Sequence, residues 1–180
     1  MKDFLSKEHK EEIAKLKSLW ASLESLAEMA KEYGINDMFQ DNGIKVLQQL
    51  VYLNMDLLPG REGNDSISKS GTEWEMKSAN EALVSGFSTN HHTTHDIIAK
   101  YRKVPWTFAI YNGILLKEIY VLTPQQLEPL YNKWEERIKS SKGKHLNNPK
   151  IPIRYVRENG VKVYPYKDND PIDPDSIPLK

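Results

Sequence analysis

The sequence predicts an α+β domain in which helices lie against a largely antiparallel sheet. Three observations point there. Two apolar stripes recur at helical spacing within the first 57 residues. A strand around Glu75 alternates charged and apolar side chains, and two Asn-Gly dipeptides, at 112–113 and 159–160, each separate two apolar runs. A length of 180 residues suits one domain with a substantial core.

The elements follow in order. Ile13, Leu16, Leu19, Trp20, Leu23 and Leu26 share a helical face, and Gly34 offers a left-handed stop. A second helix is expected from about 42 to 57, with Ile44, Leu47, Leu50 and Val51 on one face, ended by Pro59-Gly60. Both faces are expected to pack on the core, the alternative being a subunit interface. Trp74 and Met76 point to one side of the next strand, Glu75 and Lys77 to the other. A polar loop over 85–92 leads into a helix marked by Ile97, Ile98 and Tyr101 and closed by Pro105. Residues 106–111 and 114–122 then form a hairpin around Asn112-Gly113. Thr123-Pro124-Gln125-Gln126 opens a helix with a capping threonine, proline at the first helical position and glutamine three residues after the cap. Its buried stripe is Leu127, Leu130, Tyr131 and Trp134. A second hairpin, 151–156 with 161–164, is expected around Asn159-Gly160. Residues 167–180, with four Asp and few large apolar groups, read as a flexible, loosely held tail.

Composition excludes several chemistries. Without cysteine there is no disulfide, thiol nucleophile or cysteine-based zinc site. No apolar run reaches membrane-spanning length and the first residues lack a secretory signal, so a cytoplasmic protein is expected. Net charge is zero, yet the charge is sorted: 10 Lys and Arg face 15 Asp and Glu over 1–85, 14 face 6 over 86–167, and 1 faces 4 in the tail. The basic middle segment could meet a polyanion, unless folding interleaves its charges with acidic neighbours.

Asp65 precedes the Glu75-x-Lys77 triplet by ten residues. Two carboxylates and an ammonium at one spot can hold a hard divalent cation and hydrolyse a phosphodiester. The triplet alone is weak: Glu8-His9-Lys10 repeats it in a solvated run with no acidic turn before it. His91 and His95 have a zinc-like i, i+4 spacing but no glutamate between them. No Gly-rich phosphate loop or serine elbow is present. Polar loops carrying His91-His92 and Asn147-Asn148 could read base edges in a major groove, or could be ordinary turn chemistry.

Ile35-Asn36-Asp37, Phe39 to Gly43, Leu58 to Asp65, Gly86 to Thr89, Ile97 to Arg102, Val104-Pro105-Trp106 and Asn147 to Pro152 also carry a resemblance. In one register from about residue 13 to 164 the chain resembles the PvuII family of restriction endonucleases, within the PD-(D/E)xK superfamily. The resemblance implies a restriction-endonuclease-like fold with a central mixed sheet, flanking helices and a helical dimerisation region. That region would span about 1–58, a catalytic core 59–122, a recognition region 123–164 and the tail 165–180.

It further implies a Mg²⁺-dependent type II endonuclease that acts as a homodimer on palindromic duplex DNA, with CAGCTG cut bluntly at its centre to leave 5′-phosphates. Asp65, Glu75 and Lys77 fall on catalytic positions, with Tyr101 in support. Glu62 joins Asp65 and Glu75 toward the metal. His91, His92, Asn147 and Asn148 fall on major-groove contacts, Ser88 is a further contact, and Asp41 falls on a minor-groove contact. A cognate DNA methyltransferase is an expected functional partner. The chain departs from the family where Asn90 replaces the first of three histidines and across Thr93 to Asp96; as in the family, no proline directly precedes Asp65, so the superfamily signature is imperfect though the register supports it. The rival expectations are a catalytically silent dimeric DNA-binding regulator on the same fold and a scaffold with no nucleic-acid role.

Overall fold

The computed structural model describes residues 7–40, 42–59, 64–140, 145–166 and 173–178. The chain divides into two compact units, Met1–Gln48 and Gln49–Lys180. In the first, α1 (Lys7–Glu32) ends as the sequence predicts. Gly34 takes φ 78°, and the N–H groups of Gly34 and Ile35 close on the carbonyls of Lys31 and Ala30, both at 2.9 Å. The apolar stripe of α1 is not core, however. Leu16 and Leu19 are each 58% exposed and Trp20 47%, and within the helix only Ala30 is buried. A helix of 26 residues is about 39 Å long and outreaches what so small a unit can cover.

The next helix, α2 (Gly43–Leu53), stops four residues earlier than the apolar pattern suggests. Asn54 adopts φ 52°, and the Met55 N–H donates to the Leu50 carbonyl at 3.0 Å. Asparagine tolerates the left-handed conformation and caps the helix in the manner usually served by glycine.

The second unit continues through β1 (Asp56–Leu57), β2 (Ser66–Ile67), β3 (Glu73–Asn80), β4 (Gly86–Phe87), α3 (His95–Tyr101), β5 (Trp106–Asn112), β6 (Leu115–Leu122), α4 (Pro124–Ser140), β7 (Ile151–Pro152), α5 (Ile153–Asn159) and β8 (Val161–Tyr164). Six strands form one sheet in the order β1-β2-β3-β5-β6-β8, and β4 pairs with β7 apart from it. All pairings are antiparallel except β3 with β5, which is parallel and brings Glu75 beside Trp106 and Lys77 beside Phe108. The fold is therefore α+β on a mixed sheet. A parallel pair needs a crossover, and α3 lies in the connection.

The predicted hairpin around Asn112-Gly113 forms, with Gly113 at φ 61°. The capping box of α4 also closes: the Thr123 N–H donates to Gln126 Oε1 at 2.8 Å and the Gln126 N–H to Thr123 Oγ1 at 3.3 Å. Leu127, Tyr131, Trp134 and Ile138 of α4 pack with Ile98, Tyr101, Trp106, Phe108 and Val156 in the main core cluster.

The second expected hairpin is corrected. Ile151 and Pro152 pair with β4, while 153–159 is helical, burying Ile153 and Val156 at i, i+3. Asn159-Gly160 thus ends a helix, and β8 pairs with β6. Gly160 is required by close approach: a Cβ there would lie 2.6 Å from Leu122 Cδ1 and 2.8 Å from the Val156 carbonyl oxygen. In the tail, residues 173–178 are seated, unlike the loosely held chain expected. Pro174–Ser176 form a 3₁₀ turn, Ile177 is buried, and Asp175 accepts from the Ser68 hydroxyl at 2.6 Å and the Ser70 N–H at 3.2 Å. The rest of the tail lies outside the described residues. No described helix is long and apolar enough to cross a membrane.

Gly160→Ala is expected to destabilise the protein by about 1–3 kcal/mol through this overpacking. Urea denaturation measures it, and an unchanged midpoint would contradict the contact.

Candidate active site

The site begins with the clasp between β2 and β3. The N–H of Asp65 donates to the Trp74 carbonyl at 3.0 Å, and its carboxylate accepts the Met76 N–H at 2.8 Å. An acid from just before one strand is thereby anchored on the backbone of the next. On β3 the predicted alternation holds: Trp74 and Met76 are buried on one side, with Glu75 and Lys77 on the other. The charged side is largely closed to solvent, and in-register pairing puts Trp106 and Phe108 of β5 on that same face. Glu75 is only 6% exposed, its carboxylate lies 2.5 Å from Lys77 Nζ, and that ammonium sits 5.6 Å from the Trp106 ring centre.

Electrostatics follow from this burial. Loss of water pushes the Glu75 carboxyl above its usual range; the Lys77 charge opposes the rise and the Asp65 charge adds to it. Tyr101, edge-on to Trp106 with ring centres 4.6 Å apart, is also pushed up, first by burial and then by the charges of Glu75 and Asp65. Its hydroxyl stays protonated at neutral pH and can donate a hydrogen bond.

Asp65, Glu75, Lys77 and Tyr101 line one cleft of about 610 Å³ with Asn64, Thr89, Asn90, Ile97, Lys100 and Lys103. The four expected catalytic side chains thus meet in one place. Asp65 and Glu75 are hard oxygen donors suited to a divalent cation such as Mg²⁺. The fit is also electrostatic: two neighbouring carboxylates in a desolvated site repel one another, and a dication offsets that cost. Glu62, the third expected metal ligand, lies outside the described residues. Among the described residues no three His, Asp or Glu side chains gather into a metal cluster.

Lys100 and Lys103 are cleft residues that motif reading missed. The signal available was the run Lys100-Tyr101-Arg102-Lys103, whose cations point different ways. Arg102 is held by Glu128 and Glu135, at 2.9 and 2.6 Å. Arg157 and Lys162 likewise pair with Glu118. Part of the basic segment is therefore interleaved with acid, while Lys100 and Lys103 remain exposed at the cleft, where they can meet phosphate.

Five of the expected DNA contacts converge although they come from two loops more than fifty residues apart. The Thr89 N–H donates to Asn148 Oδ1 at 2.9 Å, the Thr89 hydroxyl to the Pro149 carbonyl at 2.6 Å, and Thr93 bridges to Leu146. His91 Nδ1 lies 3.3 Å from Asn147 Oδ1, the rings of His92 and His145 meet at 4.7 Å, and Lys150 donates to the Ser88 hydroxyl at 2.5 Å. Ser88, His91, His92 and Asn147 are exposed. Asn148 is half-buried, at φ 48°, with its side-chain oxygen committed to the joined loops. His91 lies before α3 and does not share a helical face with His95, which instead approaches Glu135 at 3.7 Å. Asp41 lies outside the described residues.

A carboxyl with a raised folded-state pKa contributes stability at low pH that is lost as pH rises through its unfolded and then its folded value. Glu75→Gln is therefore expected to melt a few degrees above the wild type at pH 7, the difference shrinking toward pH 4. A lower melting temperature for the variant at pH 7 would contradict the buried-charge account. In comparison with known proteins, the family described as restriction endonuclease PvuII matches residues 11–164.

Proposed function

The chain belongs to the restriction endonuclease PvuII family and is a nuclease, a hydrolase; from that premise we propose that it is a Mg²⁺-dependent type II enzyme cutting palindromic duplex DNA. The observation that carries this reading is the meeting of Asp65, Glu75, Lys77 and Tyr101 in one cleft, beside the joined loops of Ser88, His91, His92, Asn147 and Asn148. Asp65 and Glu75, with Glu62 by resemblance, would hold the cation. Mg²⁺ bound there supplies Lewis-acid polarisation of the phosphate and a lowered pKa for an attacking water. Lys77 orients that water or neutralises charge developing on the phosphate, and the protonated Tyr101 hydroxyl offers a hydrogen bond to the same group. Lys100 and Lys103 draw flanking phosphates into the cleft. The joined loops read base edges, with the exposed His91, His92 and Asn147 free to reach them and Asn148 fixing their register. A cognate methyltransferase protecting host DNA belongs to this proposal.

The proposed enzyme is a homodimer, placing one active site on each strand of a palindrome. Support comes from the exposed stripe of α1, where Leu16, Trp20 and Ala21 line an apolar hollow of about 370 Å³. Sedimentation is expected to give twice the chain mass of 20.8 kDa. A single-chain mass at micromolar concentration would contradict the dimer.

The functional test is digestion of a plasmid bearing one CAGCTG site, with Mg²⁺ and with EDTA, by wild type and Lys77→Ala. Blunt ends at that site are expected only from wild type with Mg²⁺, while Lys77→Ala retains specific binding with cleavage reduced at least about 100-fold. Wild-type cutting elsewhere would replace the target, and undiminished cutting by Lys77→Ala would remove its assigned role. Intact DNA with a mobility shift would favour the silent regulator.

A further inference from the structure

The two polar loops meet through an antiparallel bridge between Thr93 and Leu146, where each N–H donates to the other residue's carbonyl, at 3.0 and 2.9 Å. Both bridged side chains are buried. Side chains alternate along extended backbone, so the neighbours His92, His145 and Asn147 turn outward, and all three are exposed. On that outer surface the loops touch twice. His91 Nδ1 lies 3.3 Å from Asn147 Oδ1, and the His145 ring meets the His92 ring edge to face, with centres 4.7 Å apart and planes at 65°. The resemblance gives roles to His91, His92 and Asn147 but none to His145. Neither ring of the His92–His145 pair hydrogen-bonds to a described residue, so among the described residues this contact is what restrains the His92 side chain.

We propose that His145 is a positioning residue for base recognition: its ring holds the His92 imidazole in one orientation toward the DNA and thereby sharpens sequence discrimination. The inference rests on the reading of the joined loops as the DNA-facing surface. An exposed histidine can turn about two side-chain torsions, and its N–H serves guanine N7 or O6 only when aimed along the acceptor. Edge-to-face packing against a second ring restricts both torsions without a hydrogen bond, which leaves the His92 nitrogens available to a base. The Thr93–Leu146 bridge fixes the two backbones, so His145 can supply this restraint from the opposite loop. A residue that keeps a ring at 145 keeps the restraint, and a polar residue without a ring loses it.

The test compares wild type, His145→Ala, His145→Phe, His145→Gln, His92→Ala and the His92→Ala/His145→Ala double variant. Each is assayed on a CAGCTG duplex, or the site that wild type cuts in its place, and on duplexes with one base pair of that site changed. Kd is measured in EDTA and single-turnover cleavage in Mg²⁺. His145→Ala and His145→Gln are expected to lose between about threefold and tenfold in discrimination, the ratio of Kd values, with affinity for the changed duplexes moved less than about twofold. His145→Phe should keep most of the discrimination. In the His92→Ala background, removal of His145 should cost nothing further, because the restraint acts through His92. Rescue by Gln rather than Phe, equal weakening on every duplex, or a loss that persists without His92 would overturn the proposal. Should His145→Ala fail to fold, the contrast between His145→Phe and His145→Gln decides by the same criterion. A wild type that discriminates without Mg²⁺-dependent cleavage rejects the nuclease reading and leaves the binding ratios to decide the role of His145, whereas a wild type that binds every duplex equally rejects the proposal.

Discussion

The clasp between β2 and β3 is the constraint on which the site depends. Two hydrogen bonds, from the Asp65 N–H to the Trp74 carbonyl and from the Met76 N–H to the Asp65 carboxylate, join the acid before β2 to the backbone of the strand that carries Glu75 and Lys77. Parallel pairing of β3 with β5 then sets Glu75 and Lys77 on the same face of the sheet as Trp106 and Phe108. Neither contact is catalytic, yet together they place two carboxylates where one is stripped of water. Such a site is destabilising by itself and useful in function, the usual relation between a strained active site and fold stability. The rest of the sheet and the aromatic cluster beneath it supply the rigidity that holds it.

Charge in the molecule is divided by partner. Arg102, Arg157 and Lys162 are absorbed by glutamates and hold helices and strands together. Lys77 is held by Glu75, and Lys100 and Lys103 stand at the cleft. A net charge of zero is therefore compatible with a local field suited to a polyanion, because what matters is the cations gathered at one place, of which Lys100 and Lys103 pair with no acid among the described residues.

Much of this was legible in the sequence where the signal is local. The stop at Gly34, the Asn112-Gly113 hairpin and the Thr123 capping box each rest on a few adjacent residues, and each forms as read. The β3 alternation was legible too, and so was the gathering of Asp65, Glu75, Lys77 and Tyr101 in one cleft, the latter through family resemblance more than through spacing. What escaped was set by tertiary context. Parallel pairing leaves no local mark. The second Asn-Gly serves a helix end because burial of Ile153 and Val156 outweighs the turn signal, and Asn54 ends α2 before any proline. The stripe on α1 read as core because periodicity reports a buried face without saying what buries it. The joining of the two polar loops could not be read at all, since it depends on Asn148 approaching Thr89 and Asn90 from elsewhere in the chain.

The central claim is that Asp65 and Glu75 form one cation site created by the clasp. Titration of millimolar Mg²⁺ into DNA-free protein, followed by calorimetry and thermal melting, tests it most directly in wild type and Asp65→Asn. The account predicts heat of binding and a concentration-dependent rise in Tm for wild type, as for any ligand that binds only the folded state, and neither for Asp65→Asn. Equal responses in the two proteins, or none in wild type, would contradict it.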